Sequence, residues 1–207
     1  EARREGAQYE ASMAAAARAA DGEGMRLLSD SSWPGYIEPA YRVMEGYLVL
    51  IAEAIEQMPE APSHIFVQAG VGGLAGAVAA MARAGWGQDP MIVVVEPSEA
   101  QCLKGSIEAG RMRVVPGGVS EMGRLDCKEA SLVALKGLAR DADAFFAITE
   151  GEGAFGAQAA AEAGFNTTPS GAGGLSGLLS AARGARDVLH LDRNARVMVI
   201  LSEGPSE

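Results

Sequence analysis

The chain has 207 residues, of which 48% are hydrophobic and 27 are glycine, which suits one large α/β domain or one domain with an appendage. The formal net charge of −10 argues against a nucleic-acid partner, which would need a basic surface. The two histidines and two cysteines form no cluster of metal ligands, and no apolar run approaches the roughly 20 residues of a membrane-spanning helix. Cys102 and Cys127 indicate a reducing compartment, so we expect a cytoplasmic protein; a single bridge between them is the alternative.

The first 60 residues predict helices on either side of one polar loop. Residues 1–20 predict a helix, 25–28 a short strand, and 39–58 have the apolar spacing of an amphipathic helix. The loop SDSSWPGY carries Asp30, which either caps a turn or brings a carboxylate to a site. We interpret residues 1–60 as a helical remnant of a smaller lobe. Because the chain begins without methionine and inside a helical pattern, we expect it to be part of a longer protein, incomplete at its N-terminus.

The remaining residues, 61–207, alternate strand and helix patterns, which is typical of a parallel sheet. Strands are predicted at 65–67, 91–95, 112–115, 144–148 and 196–201, and helices at 77–84, 98–109, 128–140, 150–163 and from the end of 167–177 to about 185. The second of these strands is apolar throughout, as expected when both faces are covered. The sequence therefore predicts an α/β fold, a parallel sheet with helices on both faces, in one large cofactor-binding domain.

The stretch HIFVQAGVGGLAG, residues 64–76, combines a strand, a glycine-rich turn and the start of a helix. Glycine lets backbone N–H groups approach a ligand closely, and a helix start offers free N–H groups and a positive dipole end. We therefore expect a phosphate to bind at Gly70, Val71, Gly72, Gly73, Leu74, Ala75 and Gly76.

The glycine turn alone leaves three interpretations open: a dinucleotide, another phosphate, or a turn that only packs a helix on a sheet. Gly70, Gly72 and Ala75 match the pattern G-x-G-x-x-G/A, and Glu96 follows at about the twenty-residue spacing of a ribose-binding acid. A dinucleotide fold explains only this turn. It does not explain a second glycine-rich segment at 167–177 or a serine directly after the last strand, Ser202.

Six segments together resemble the fold-type II pyridoxal-phosphate enzymes, the tryptophan-synthase-β-like superfamily. Within that group they are most similar to the diaminopropionate ammonia-lyases, and more distantly to the threonine dehydratases. The segments are DSSWPGYIEPAYRVMEGY (30–47), VQAGVGGLAGAV (67–78), VVVEPSEAQCL (93–103), MGRLDC (122–127), PSGAGGLSG (169–177) and VILSEG (199–204). Each is weak alone, but they occur in the order that the family has.

The resemblance implies a role for each candidate residue. Residues 70–76 bind the phosphate of pyridoxal phosphate, Ser170 and Gly171 line its pocket, and Ser202 lies near the pyridine nitrogen. Asp30 matches an acid/base position that takes the α-proton of a small amino acid. The implied reaction is an α,β-elimination that yields a 2-keto acid and ammonia, with a substrate like 2,3-diaminopropionate and a homodimeric enzyme. In the family the residue matching Glu96 is structural.

One expected residue is absent, because the cofactor of this class is carried on a lysine. The only lysines are Lys104, Lys128 and Lys136, and none lies in a matching context. Two alternatives therefore stay open beside the lyase. One is a nicotinamide- or flavin-linked oxidoreductase that uses GVGGLA, and the other is a relative that folds without catalysing a reaction.

Overall fold

The computed structural model describes residues 3, 5, 6 and 9–205. The elements in this part of the chain follow the order α1 (Tyr9–Glu23), α2 (Glu38–Gln57), β1 (His64–Gln68), α3 (Gly73–Trp86), β2 (Met91–Pro97), α4 (Cys102–Ala109), α5 (Leu132–Asp141), β3 (Ala144–Ile148), α6 (Glu150–Glu162), α7 (Gly173–Gly184) and β4 (Val197–Val199). Among these helices, none combines the length and apolar character needed to cross a membrane.

The four strands form one parallel sheet in the order β3–β2–β1–β4. Phe66 of β1 lies opposite Val93 of β2 on one side and Val199 of β4 on the other. The chain therefore moves outward from β1 to β2 and β3, then returns to the other side of β1. Ligands of open α/β sheets bind at such a reversal of strand order, outside the carboxyl ends of the strands.

Helices cover both faces of the sheet, as the sequence predicts. Alternate residues of a strand point to opposite faces. Ile65 and Val67 pack into a core with Ile51 of α2 and the apolar side of α3, whereas Phe66 and Val95 pack into a second core with α7. These central strands are fully buried, which explains their continuous apolar sequence.

Glycine lets α7 lie directly on the sheet. A Cβ built on Gly174 would lie 2.5 Å from the carbonyl oxygen of Phe66, and one on Gly177 would lie 2.5 Å from Cγ2 of Val95. Either distance is shorter than real Cβ contacts allow. The glycine-rich segment after 167 therefore has a packing role in this helix, beyond any part it takes in binding.

The structure differs from the sequence prediction in two of the short strands. Residues 25–28 and 112–115 are predicted strands but have no strand pairing. The second segment runs along a neighbouring loop, where the N–H of Val115 donates to the carbonyl of Lys128 at 2.9 Å. An apolar pattern alone does not distinguish such a loop segment from a strand.

The predicted helix starts differ from the observed ones for physical reasons. The predicted helix 98–109 begins at Cys102, because the carboxylate of Glu96 accepts hydrogen bonds from the N–H groups of Leu103 (2.7 Å) and Lys104 (2.8 Å). The predicted helix 1–20 begins at Tyr9, and residues 1, 2, 4, 7 and 8 lie outside the described residues. Thr149 caps α6, in a capping box with Glu152.

Glu96 makes the stability of the fold pH-dependent. Burial raises the pKa of this carboxyl from 4.5 to about 7, although the two backbone hydrogen bonds act in the opposite direction. Between these pH values the unfolded chain loses the proton first, so this group's contribution to stability falls as the pH rises through about 7.

The variant Glu96→Gln tests this effect. The glutamine amide offers only one acceptor oxygen to two backbone N–H groups. We therefore expect the free energy of unfolding of the variant to be about 1–3 kcal/mol lower than that of wild type at low pH. Because only wild type loses stability through titration at this site, the difference should shrink from pH 4.5 to 7. Urea unfolding across that range measures it. A difference that stays constant or grows with pH would contradict the interpretation.

Candidate active site

A cleft of about 490 Å³ opens at the carboxyl edge of the sheet, where β1 and β4 lie side by side. This is the point at which the strand order reverses, and its volume suits a small-molecule ligand. Its lining comprises residues 68–74, 123–125, Cys127, 201–203, Tyr9, Asp30, Tyr47 and Leu50. The cleft therefore collects three predicted features that lie far apart in the sequence: the glycine turn, the Asp30 loop and Ser202.

The glycine turn forms an open backbone cradle at the start of α3. Gly72 has φ 102° and caps the helix, and within the described residues no side chain bonds to this helix start. A Cβ on Gly73 would meet only Cγ of Met44 and Cε2 of Tyr47, both at 3.8 Å, so packing does not require glycine there. The N–H groups of the first helical turn have no partner within the helix. The cradle therefore suits an anion such as phosphate.

Gln68 connects the glycine turn to the end of β4, and the sequence analysis missed it. The side chain is buried, and the two hydrogens of its Nε2 are shared among three acceptors: Oγ of Ser202 at 2.9 Å and the carbonyls of Gly171 and Ile200 at 3.1 Å. Its Oε1 accepts from the N–H of Gly174 at 3.3 Å. The available signal was a polar residue at the end of the otherwise apolar strand HIFVQ.

The predicted cofactor residues divide into two groups in the structure. Gly70, Val71, Gly72, Gly73, Leu74 and Ser202 line the cleft, whereas Ala75, Gly76, Ser170 and Gly171 are not part of its wall. The buried hydroxyl of Ser170 accepts from the N–H of Arg124 at 3.3 Å, and the carbonyl of Gly171 accepts from Gln68. These residues support the wall from behind.

Asp30 reaches the cleft together with a tyrosine that sequence reasoning did not single out. The phenol of Tyr9 donates to Oδ1 of Asp30 at 2.7 Å. Burial, and then this bond to Asp30, raise the pKa of Tyr9 above its ordinary value, so the phenol stays protonated and donates. Within the described residues no backbone N–H donates to the Asp30 carboxylate, which disfavours a turn-capping role. No local sequence signal relates two residues 21 positions apart.

An ion pair closes the rim of the cleft. Arg124 Nε lies 2.5 Å from Oε2 of Glu203, and Thr168 donates to the other carboxylate oxygen. Thr167 Oγ1 donates to the backbone carbonyl of Glu203 at 2.7 Å. The Arg124 side chain is 73% exposed, so the pair contributes little stability, but it ties three loops together around the mouth of the cleft.

The two cysteines lie beside the glycine turn as free, buried thiols. The Cys102 thiol donates to the carbonyl of Gly70 at 3.3 Å. Burial, reinforced by Asp30 and other nearby carboxylates, raises the pKa of Cys127 to about 12. The thiol is the unreactive form, so both residues act by packing.

None of the three lysines of the sequence lines the cleft. The Nζ of Lys128 is buried, donates to the carbonyls of Glu99 (2.9 Å) and Gly118 (2.7 Å), and pairs with Asp126. Lys104 pairs with Glu108 along α4, and Lys136 is exposed on α5. The chain therefore brings no lysine amine to the glycine turn.

Glu96 is unavailable to a dinucleotide. The residue is 1% exposed, and each of its carboxylate oxygens accepts a hydrogen bond from the start of α4. It lies outside the wall of the cleft. The dinucleotide interpretation of the glycine turn thus loses its ribose-binding acid. Within the same described ranges, no group of three or more His, Cys, Asp or Glu residues could hold a metal ion.

Comparison with known proteins supports the interpretation of the glycine turn as the site of a phosphate other than that of a dinucleotide. The family model described as "Pyridoxal-phosphate dependent enzyme" matches residues 2–203. Diaminopropionate ammonia-lyase of Salmonella typhimurium is 36% identical over 133 residues, which are 60% of this chain and 33% of that enzyme.

Solved structures have the same fold. The Escherichia coli diaminopropionate ammonia-lyase, solved with an aminoacrylate-PLP azomethine reaction intermediate, is similar at a TM-score of 0.82 and 28% identity, over 91% of this chain and 51% of that one. Maize serine racemase has a TM-score of 0.80 at 22% identity, over 98% of this chain and 59% of that one, and shows the fold alone.

The chain thus spans about half the length of the solved relative from Escherichia coli, and its match covers a third of the Salmonella enzyme. The family model nevertheless covers nearly all of this chain, including the glycine turn, the Asp30 loop and Ser202. The predicted fold and cofactor are confirmed at the level of the family: this chain belongs to the pyridoxal-phosphate dependent enzymes.

Proposed function

We propose that this chain is the large cofactor-binding part of a pyridoxal-phosphate-dependent ammonia-lyase. Its substrate is a small amino acid with an amino group on the β-carbon, such as 2,3-diaminopropionate. The products are a 2-keto acid and ammonia. The main support is that an uncapped glycine cradle and the Asp30 carboxylate share one cleft. The identity to diaminopropionate ammonia-lyase favours this substrate over serine or threonine.

The residues of the cleft fit the cofactor. The N–H groups of residues 72–74, which line the cleft, hold the phosphate, and a side chain at Gly73 would extend into the open space beside them. Gln68 donates to Oγ of Ser202, so the hydroxyl hydrogen of Ser202 is free to donate to the pyridine nitrogen. A neutral partner of this kind holds the ring without adding charge.

Asp30 acts as the general base. When bound, the cofactor withdraws electrons from the substrate and so acidifies its α-proton. Tyr9 holds Oδ1 of Asp30, which leaves Oδ2 to take that proton. The same oxygen can return the proton to the leaving amine. A lysine that carries the cofactor is needed as well, and it is none of Lys104, Lys128 and Lys136.

The chain is divided at about residue 60 into two parts with different roles. Residues 1–60 belong to the boundary with a smaller lobe, and 61–207 form the cofactor domain; the described part of 1–60 contributes no strand to the sheet. The enzyme is a homodimer in the cytoplasm. Exposed apolar side chains on α2, such as Tyr41 and Val49, support a dimer, and the free cysteines support a reducing compartment.

The variant Gly73→Asp tests the phosphate site. An aspartate in the first turn favours the helix, so the fold should persist, but its charge and volume exclude a phosphate. We expect the affinity for pyridoxamine 5′-phosphate to fall by at least about a hundredfold, or about 3 kcal/mol. Isothermal titration of the full chain measures this affinity, with NADH as the competing candidate ligand.

Gly137→Asp is the matched control, because it adds the same charge on α5, where the space around the glycine is open. It should bind pyridoxamine 5′-phosphate like wild type. Unchanged affinity in Gly73→Asp would refute the site. Saturable NADH binding at the same turn would support an oxidoreductase instead.

The variant Asp30→Asn tests the base in the enzyme that includes its lysine-bearing segment. Removing a general base costs about 10²–10⁴ in rate, so ammonia release from 2,3-diaminopropionate should fall by that factor. The affinity for pyridoxamine 5′-phosphate should change less than about twofold, because Asp30 lies outside the phosphate cradle. The exposed Asp89→Asn is the control. Turnover that survives in Asp30→Asn would show that Asp30 is a structural residue and not the base. Ammonia release from serine or threonine, with none from 2,3-diaminopropionate, would contradict the proposed substrate.

A further inference from the structure

The loop that carries Asp30 is fastened to the start of α5 by two buried serines, Ser32 and Ser131, which are 1% and 0% exposed. Their hydroxyl oxygens lie 2.7 Å apart, and the N–H of Ser32 donates to Oγ of Ser131 at 3.1 Å. Ser32 comes two residues after Asp30. The position of the carboxylate is therefore set by a contact between segments 99 residues apart.

Ser32 performs the capping role that Ser131 leaves open. Ser131 is the N-cap of α5, but within the described residues its hydroxyl makes no capping bond to its own helix. Instead the carbonyl of Ser32 accepts from Leu132 at 2.9 Å, and Oγ of Ser32 accepts from Val133 at 2.9 Å. A serine prefers to cap its own helix, so this exchange makes α5 depend on the Asp30 loop.

The same helix start supports the phosphate turn. The N–H of Ser131 donates to the carbonyl of Val71 at 2.9 Å. Ala134 packs beneath the turn, since a Cβ on Gly72 would lie 3.1 Å from Cβ of Ala134, and one on Gly76 would lie 3.5 Å from its Cα. The Asp30 loop and the glycine turn thus share one rigid support, the residues 131–134.

We propose that Ser32 and Ser131 are positioning residues that couple the phosphate turn to the acid/base loop. A phosphate held at 72–74 immobilises the turn. Val71 then fixes Ser131, and Ser131 fixes Ser32 and with it Asp30. The phosphate at the turn thereby reduces the motion of the base in the cleft. This inference rests on the proposed function, because it needs a phosphate at the turn.

Hydrogen exchange of the full chain tests the coupling, with pyridoxamine 5′-phosphate as the probe because its amine cannot form an imine with surface lysines. At about ten times its Kd, the ligand should slow exchange about tenfold at residues 72–76. The coupling predicts a similar slowing at 31–33, where the amide of Ser32 is held by Ser131. For each variant the exchange rate without ligand is divided by the rate with ligand, so a change in the basal exchange rate does not affect the result.

The coupling is removed by Ser32→Ala or Ser131→Ala, each measured at ten times its own Kd. In both variants the ligand should still slow hydrogen exchange at 72–76, but it should slow exchange at 31–33 by less than about twofold. Ser131→Cys keeps the size of the side chain but offers a weak acceptor, so it tests the same contact if an alanine variant fails to fold. Ser106→Ala is the matched control. It removes an equally buried hydroxyl that bonds only within and beside α4, and it should behave like wild type.

The outcomes separate the two proposals. No slowing at 72–76 in wild type would overturn the phosphate site and the coupling together. Slowing at 72–76 without slowing at 31–33 in wild type would overturn the coupling alone. So would slowing at 31–33 that survives in the serine variants, because the loop would then be protected without these hydroxyls, through the backbone bond from Leu132 or by direct contact with the ligand.

Discussion

The unpaired N–H groups at the start of α3 are the constraint on which the rest of the site depends. A helix start at the end of a buried parallel strand must leave these donors to water or to a ligand, because Gly72 carries no capping side chain. Glycine at Gly73 keeps the space before them free of a Cβ. The order of the strands then places the end of β4, and with it Ser202, beside the same opening.

Around this cradle the protein uses side chains mainly to orient other groups. Gln68 orders Ser202, Tyr9 holds Asp30, and Ser131 carries the loop of Asp30 on the first turn of α5. The thiols of the two cysteines stay protonated because they are buried. The polar groups that line the cleft are therefore the carboxylates of Asp30 and Glu203, the Arg124 guanidinium, hydroxyls and amides, and the reactive electron sink belongs to the cofactor. None of the three lysines of the chain lines this cleft.

Local patterns predicted much of the fold and the ends of the strands at which the site lies. The apolar runs of β1 and β2 and the glycine turn each carry their signal within a few residues. The supporting contacts could not be predicted, since Tyr9 and Asp30 are 21 residues apart, and Ser32 and Ser131 are 99 apart. At Glu96 the spacing alone matches a ribose-binding acid, whereas burial makes the residue the cap of α4, which agrees with the structural role that the resemblance implied. The strand predicted at 112–115 is wrong, because this segment bonds to the loop at Lys128 and not to another strand.

A crystal structure of the chain with pyridoxamine 5′-phosphate tests the central claim most directly. We expect phosphate oxygens within about 2.7–3.2 Å of the backbone nitrogens of Gly72, Gly73 and Leu74, with the pyridine nitrogen towards Ser202. A phosphate bound elsewhere, for example beside Arg186 and Arg193 on the loop before β4, would contradict it. An intact fold whose glycine turn binds no phosphate at saturating ligand would contradict it equally.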